Sequence, residues 1–365
     1  MSKGTVGSTS TDIRGDFHKL LCETVIPTSD SNREKAIKGR QIDDFLKENM
    51  PCPLFRYRTA DKHYIEALKN GHISVTKPHK MKDKLDSLIK FDSSFIKMNI
   101  NKYFPSFKAL AEWAKNNKGV SEIPQFAIKS VPLLVRLVLG FGLKFVKKPD
   151  SIRSLQRSYK AVRKNLDKQI QALRGKVYDE LQHTRYIACF CESVSEYRMW
   201  AEYTDNHKGF ALEYDFSVSL PKKCRVFPVI YGAEYNATSF ALLNIANELP
   251  LQVLKEHGLS KFWEWYFAKR RFTTLYDELF YLKGYAYKRK KYEKENEWRL
   301  LTPETNKTSP NYSEIPFTPT AIYFGENMED STFELLNEIA TKQGLRKYRI
   351  EIDDVAKIAT PYPIK

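Results

Sequence analysis

The chain has 365 residues, 42% of them hydrophobic and 13% aromatic, which is enough apolar material for a large core and excludes a long disordered chain. A formal net charge of +16 favours anionic partners, whether nucleic acid, phosphorylated cofactors or an acidic membrane surface, and is equally compatible with a merely solvated basic surface. Five scattered cysteines, Cys22, Cys52, Cys189, Cys191 and Cys224, offer no disulfide framework and no zinc-ligand spacing, so a reducing, cytoplasmic location and no metal are expected.

In chain order, MSKGTVGSTSTD lacks the apolar run of a signal peptide, and residues 1–31 read as a flexible polar lead-in. Residues 32–90 read as the first part of an α+β core. A charged helix comes first, then the strand LFRYR, a helix from Asp61 that stops at Asn70-Gly71, and the strand HISVTKP. Residues 91–183 read as a large helical insertion. Within it, VPLLVRLVLGFGLKFV (131–146) is too short for a bilayer span and is interrupted by Arg136 and Lys144. It reads as a buried helix or as a peripheral membrane contact helped by Lys147 and Lys148, not as an integral span. The insertion's last helix carries Leu155, Tyr159, Val162, Leu166, Ile170 and Leu173 on one face. On the other stand Arg157, Lys160, Arg163, Lys164, Lys168, Arg174 and Lys176. That basic face suits a phosphate backbone or plain solvent.

Residues 184–365 return to strands as the second part of the core. RYIACFCE is apolar on both faces and is expected at the centre of a sheet. Cys189 and Cys191 share a face there and read as core thiols. A short helix around Met199 to Tyr203, the strands KGFALEYD and CRVFPVIY, and long helices over residues 239–285 come next. ENEWRLL, TAIYFG and KYRIEI close the series, with one helix before the last. Strands grouped at both ends around helices predict an α+β fold with a central, mostly antiparallel sheet and a large helical insertion. Phosphate-binding glycine loops, HExxH and GxSxG are absent, which disfavours P-loop NTPases, Rossmann dehydrogenases, zincins and α/β-hydrolases.

Four blocks carry a resemblance: FRYR with NGHISVTKPHKMKDKLD, CFCESVSEYRMWAEYTDNHKGFALEYD, YEKENEWRLL and TAIYFGENM. In order and content they resemble the family called domain of unknown function 2971. Residues 81–86 and Cys191 depart from its usual asparagine and serine. The resemblance implies the fold, and a link to mobile or defence loci such as a toxin or phage-defence effector. It supplies no reaction.

On a strand, Glu295, Glu297 and Arg299 would share one accessible face while Trp298 and Leu300 face the core. Paired carboxylates beside a guanidinium suit general-base work or stabilisation of a cationic transition state, and equally a structural ladder. The block order is also similar to the layout of mono-ADP-ribosyltransferases. That similarity implies NAD as cofactor, Glu297 as catalytic carboxylate and Glu295 as its helper. Arg56 or Arg58 would hold the pyrophosphate, and Tyr57, Trp200 and Tyr203 would stack on nicotinamide or adenine. His207 reads as a turn residue bonded to backbone, or as an acid–base group, and Glu213 as a partner of a β-strand arginine. A second reading is binding or processing of DNA or RNA, through Arg163, Lys164, Lys168 and the cluster Lys288, Arg289, Lys290, Lys291, with Tyr285, Tyr287 and Tyr292 interleaved. A third is a non-enzymatic partner-binding protein. The oligomeric state is not legible.

Overall fold

A computed structural model describes residues 12–27, 30–81, 89–103, 157, 164–221, 223–242, 244–245 and 277–364. Described elements are numbered here in chain order. The lead-in expected to be flexible contains helix α1 (Ile13–Glu23), because Phe17 and Leu21, four apart, form an apolar stripe. Both are buried, and Phe17 stacks on Phe45 and Phe227. Helix α2 (Asn32–Asn49) opens on a capping box, with the Ser31 N–H donating to the Glu34 carboxylate at 2.8 Å and the Glu34 N–H donating to the Ser31 hydroxyl at 3.3 Å.

Strand β1 (Leu54–Arg58), helix α3 (Lys62–Lys69) and strand β2 (His72–Thr76) follow as the sequence predicts. Gly71 stops α3 with φ +66°, a conformation that favours glycine. After β3 (Ile89–Lys90), the described ends of the proposed insertion are helical, α4 (Ser93–Tyr103) and α5 (Leu166–His183). Residues 131–146, Arg163 and much of the 239–285 stretch lie outside the described residues. Next come β4 (Ile187–Cys191), α6 (Tyr197–Tyr203), β5 (Phe210–Tyr214), β6 (Arg225–Pro228), β7 (Ile230–Tyr231) and β8 (Tyr235–Asn236). CRVFPVIY is thus two strands, not one. It divides after Pro228, which has no N–H for a ladder. The C-terminal part comprises α7 (Phe280–Tyr285), β9 (Tyr287–Lys288), β10 (Glu297–Leu301), β11 (Tyr312–Pro316), β12 (Ala321–Phe324), α8 (Asp330–Lys342), β13 (Arg346–Asp353) and β14 (Ile358–Pro363).

Ten strands form one sheet in the order β11-β2-β4-β1-β5-β12-β13-β14, with β10 paired to β4 and β6. Its pairs are antiparallel except β12 with β13, which the α8 crossover joins. The α+β class expected from the sequence is the fold observed. One face packs Phe190, Trp298 and Ile322 against Leu68 of α3 and Leu336 of α8. The other packs Tyr57 and Tyr323 with Met199 and Trp200 of α6. A third cluster joins α1, α2, α5 and α7 through Phe17, Ile42, Ile170 and Phe280. No helix among the described residues is long and apolar enough to cross a membrane.

The sheet has a fork at β4. Along one edge β10 pairs with its whole length, from Glu297 opposite Cys191 to Leu301 opposite Ile187. Along the other, β4 meets β1 only where Phe55 faces Cys191, and β2 only where Thr76 faces Ile187. Strands β1 and β2 therefore splay from β4, and the backbone between them leaves the ladder. Such a gap needs polar partners.

Candidate active site

The fork opens into a cleft of about 300 Å³. Arg56, Tyr57 and Arg58 line it from β1, Cys189 and Cys191 from β4, and Tyr203 from α6. Glu295, Glu297, Arg299 and Lys288 complete the lining. The fold thus brings together the acidic pair and the arginines that the sequence set on distant segments.

On the acidic wall, Glu297 and Arg299 point to one side of β10 while Trp298 and Leu300 enter the core, as strand alternation requires. Glu295 is not on the strand. It ends a 3-10 turn (Lys290–Glu295), and Asn296, at φ +43°, turns the chain before β10 begins. Its carboxylate reaches the same place through Lys288, whose Nζ donates to Glu295 Oε2 at 2.6 Å and to Glu297 Oε2 at 2.8 Å. Arg299 Nε donates to Glu297 Oε1 at 2.6 Å, and a second Arg299 nitrogen donates to the Tyr285 carbonyl at 2.6 Å. Tyr203 donates its hydroxyl to Glu295 Oε1 at 3.2 Å.

The expectation of an accessible acidic face is corrected. Glu295 and Glu297 are 4% and 3% exposed and line the cleft. Burial by itself would push the Glu297 pKa up. The charges of Arg299 and Lys288 overcome that and hold it at about 2, so the carboxylate is ionised at neutral pH. Burial, then the nearby Glu297 charge, pushes the Cys189 thiol well up, so it is no thiolate nucleophile.

On the pleat of Phe190, opposite to that of Glu297, Arg56 is 3% exposed and rests over the Phe190 ring at 5.5 Å. Its Nε has no hydrogen-bond partner, and no carboxylate pairs with it among the described residues. Arg58 donates to the Tyr57 carbonyl at 2.9 Å and lies over Tyr64 at 4.7 Å, and its Nε is likewise unpartnered. Burial lowers the Arg58 pKa, yet a guanidinium keeps its proton. Glu213, expected to pair with one of these arginines, does not. The register sets it opposite Phe55, on the other face of β1, where Tyr323 donates to it at 2.6 Å and Arg346 pairs with it. A desolvated guanidinium is costly unless an anion meets it, and none does so for Arg56 or Arg58 among the described residues.

Residues 199–300 match the family model described as Protein of unknown function (DUF2971). The DUF2971 match takes in Tyr203, Lys288, Glu295, Glu297 and Arg299, the acidic wall, and leaves Arg56 and Arg58 outside it. No curated protein and no solved structure matches the chain.

Within and beside the DUF2971 segment, several sequence assignments change. Trp200 is fully buried with its indole N–H on the Val194 carbonyl at 2.7 Å, so it has no face to offer a ligand. Tyr57 touches the cleft, but its ring meets Trp200 edge-on and its hydroxyl donates to the Ser193 carbonyl at 2.9 Å. Tyr203 is the one of these three aromatics whose polar tip joins the acidic network. His207 is 7% exposed in a run of left-handed residues from Asp205. Its Nδ1 is unpartnered, its ring lies against Tyr197, and it does not line the cleft. Lys288, taken for a surface cation, is 5% exposed and bridges the two glutamates. Nothing in the local pattern announces it, because a two-residue strand has no period to read. Arg289, Lys290, Lys291, Lys164 and Lys168 are exposed. Tyr285 and Tyr287 are buried at 0% and 1% and cannot stack on bases, whereas Tyr292 sits among Lys288, Arg289 and Lys291.

Proposed function

We propose that the chain is an ADP-ribosyltransferase-like enzyme that takes NAD in the forked cleft. One observation carries the reading: Arg56, buried, and Arg58, half-buried, have no carboxylate partner among the described residues and line the same cleft as an ionised Glu297. Guanidinium forks match the oxygens of a pyrophosphate. With the phosphates on Arg56 and Arg58, the nicotinamide ribose lies toward the glutamates.

The ribose C1′–nitrogen bond breaks with its electron pair leaving on nicotinamide. Positive charge develops on C1′, and the Glu297 carboxylate stabilises it. A pKa of about 2 makes Glu297 a poor proton acceptor at neutral pH, so its role is electrostatic and not that of a general base. Its oxygens accept from Arg299 and Lys288, which fix the carboxylate in place. Lys288 and Tyr203 hold Glu295 in place. The acceptor's nucleophile then bonds to C1′ and gives up its proton to solvent water.

Nicotinamide release from NAD by the purified chain tests this. Glu297→Gln is expected to lower the rate about a hundredfold or more. Arg58→Ala is expected to raise KM about tenfold with a smaller change in kcat. A wild-type chain that neither binds NAD nor releases nicotinamide sinks the proposal. A second reading, phosphate-backbone binding of DNA or RNA, draws on the exposed Lys164, Lys168, Arg289, Lys290 and Lys291.

A further inference from the structure

The gap between β1 and β2 continues past the cleft into an outer chamber of about 150 Å³. Arg56, Arg58, His63, Tyr64, Thr76 and Tyr312 line both spaces, and Ser74, Ser313 and Glu314 line the outer one. A ligand whose phosphates rest on the two arginines can therefore extend into either space.

Strand β11 and helix α3 supply the chemistry of this space. Strand β11 pairs only with β2, and the register sets Tyr312 opposite Thr76 and Glu314 opposite Ser74, all on one pleat. The other pleat, with Ile73 and Val75, belongs to the core. Helix α3 supplies His63 and Tyr64, with rings 3.7 Å apart, and the His63 ring lies 5.9 Å from that of Tyr312. Tyr312 is 55% exposed, so packing does not explain an aromatic there. Aromatic faces, hydroxyls and a carboxylate acceptor thus surround a space lined by two guanidinium groups whose Nε atoms have no hydrogen-bond partner.

We propose that this outer chamber is a nucleoside subsite, taking the base and ribose of a ligand whose phosphates lie on Arg56 and Arg58. The base stacks on Tyr312, beside His63 and Tyr64. Glu314, which already meets His72 Nδ1 at 3.0 Å, accepts from a ribose hydroxyl or an exocyclic amine, and Ser74 adds a hydroxyl. The assignment rests on the phosphate role of the two arginines and not on NAD turnover, so the two ideas fail separately.

Calorimetric titration of the full chain with ADP and with inorganic pyrophosphate decides it. Tyr312→Ala, at an exposed position, is expected to weaken ADP about tenfold while leaving pyrophosphate within about twofold. Tyr312→Phe, which keeps the ring, is expected to retain wild-type affinity for ADP. Arg58→Ala is expected to weaken both ligands. Equal losses of ADP and pyrophosphate in Tyr312→Ala, no loss of ADP there, or no ADP binding by the wild-type chain would each overturn the subsite. Tyr312-dependent ADP binding in a chain that releases no nicotinamide from NAD supports the subsite and removes the transferase reading. Nicotinamide release that Tyr312→Ala leaves untouched, with ADP affinity also unchanged, does the reverse.

Discussion

Glu297 is the side chain on which structure and chemistry meet most closely. Its carboxyl sits at about 2 in the folded chain, against about 4.3 in an unfolded one. The folded value is the lower, so folding favours the ionised form. The stabilisation is fully present above about pH 4.5 and is lost as pH falls toward 2. For a group this buried it is on the order of 3 kcal/mol. Glu297→Gln also leaves Lys288 and Arg299 short of an anion, which is destabilising at neutral pH. Urea unfolding of both chains from pH 7 to pH 2.5 should show the gap between them narrowing below about pH 4.5, as the wild-type carboxylate takes up its proton. A gap that is independent of pH would contradict the ion-pair account. At this scale the sequence was legible where a period applied. The alternation in β10 assigned Glu297 and Arg299 to one side and Trp298 to the other. It misled for Glu295, because a left-handed Asn296 ends the alternation one residue too early.

Elements position the arginines. Strand β5 starts beside the end of β1, and a Cβ on Gly209 would lie 2.1 Å from the Arg58 carbonyl oxygen. Gly325 is under the same constraint against the His207 carbonyl oxygen, also at 2.1 Å. Glycine at 209 therefore lets the β1–β5 ladder close and sets where Arg58 leaves the sheet. Gly209→Ala is expected to lower stability by about 1–3 kcal/mol and shift the urea midpoint down, since backbone and not a flexible side chain must give way. An unchanged midpoint would show that the strand ends are free to separate. The strands β1, β2, β4, β5 and β12 were readable from runs of apolar residues bounded by turn residues. Helix α1 was missed because a polar leading segment masked the Phe17 and Leu21 pair.

At the scale of the molecule, a net charge of +16 is a statement about partners. If the exposed basic side chains meet a phosphate backbone, binding to DNA or RNA must fall steeply with salt. Replacing Arg289, Lys290 and Lys291 by Gln should reduce the slope of log affinity against log salt by about 3. Lys288 is left out of that set, because it is spent on the two glutamates. Binding with a slope that the triple replacement does not change would remove this surface from the interface.

The sequence by itself determined the α+β class, most of the strands and the residue types at the site. These follow from local rules of period, turn chemistry and composition, which act over a few neighbours. Only the tertiary structure decided that β1 and β2 leave β4 after one pairing each. Only it buried the acidic pair, sent Lys288 inward and left Arg56 and Arg58 without a carboxylate among the described residues. Those outcomes depend on which strand edges meet and on how many charges share a desolvated space. Strand pairings between residues more than a hundred positions apart set the first, and no local pattern encodes either.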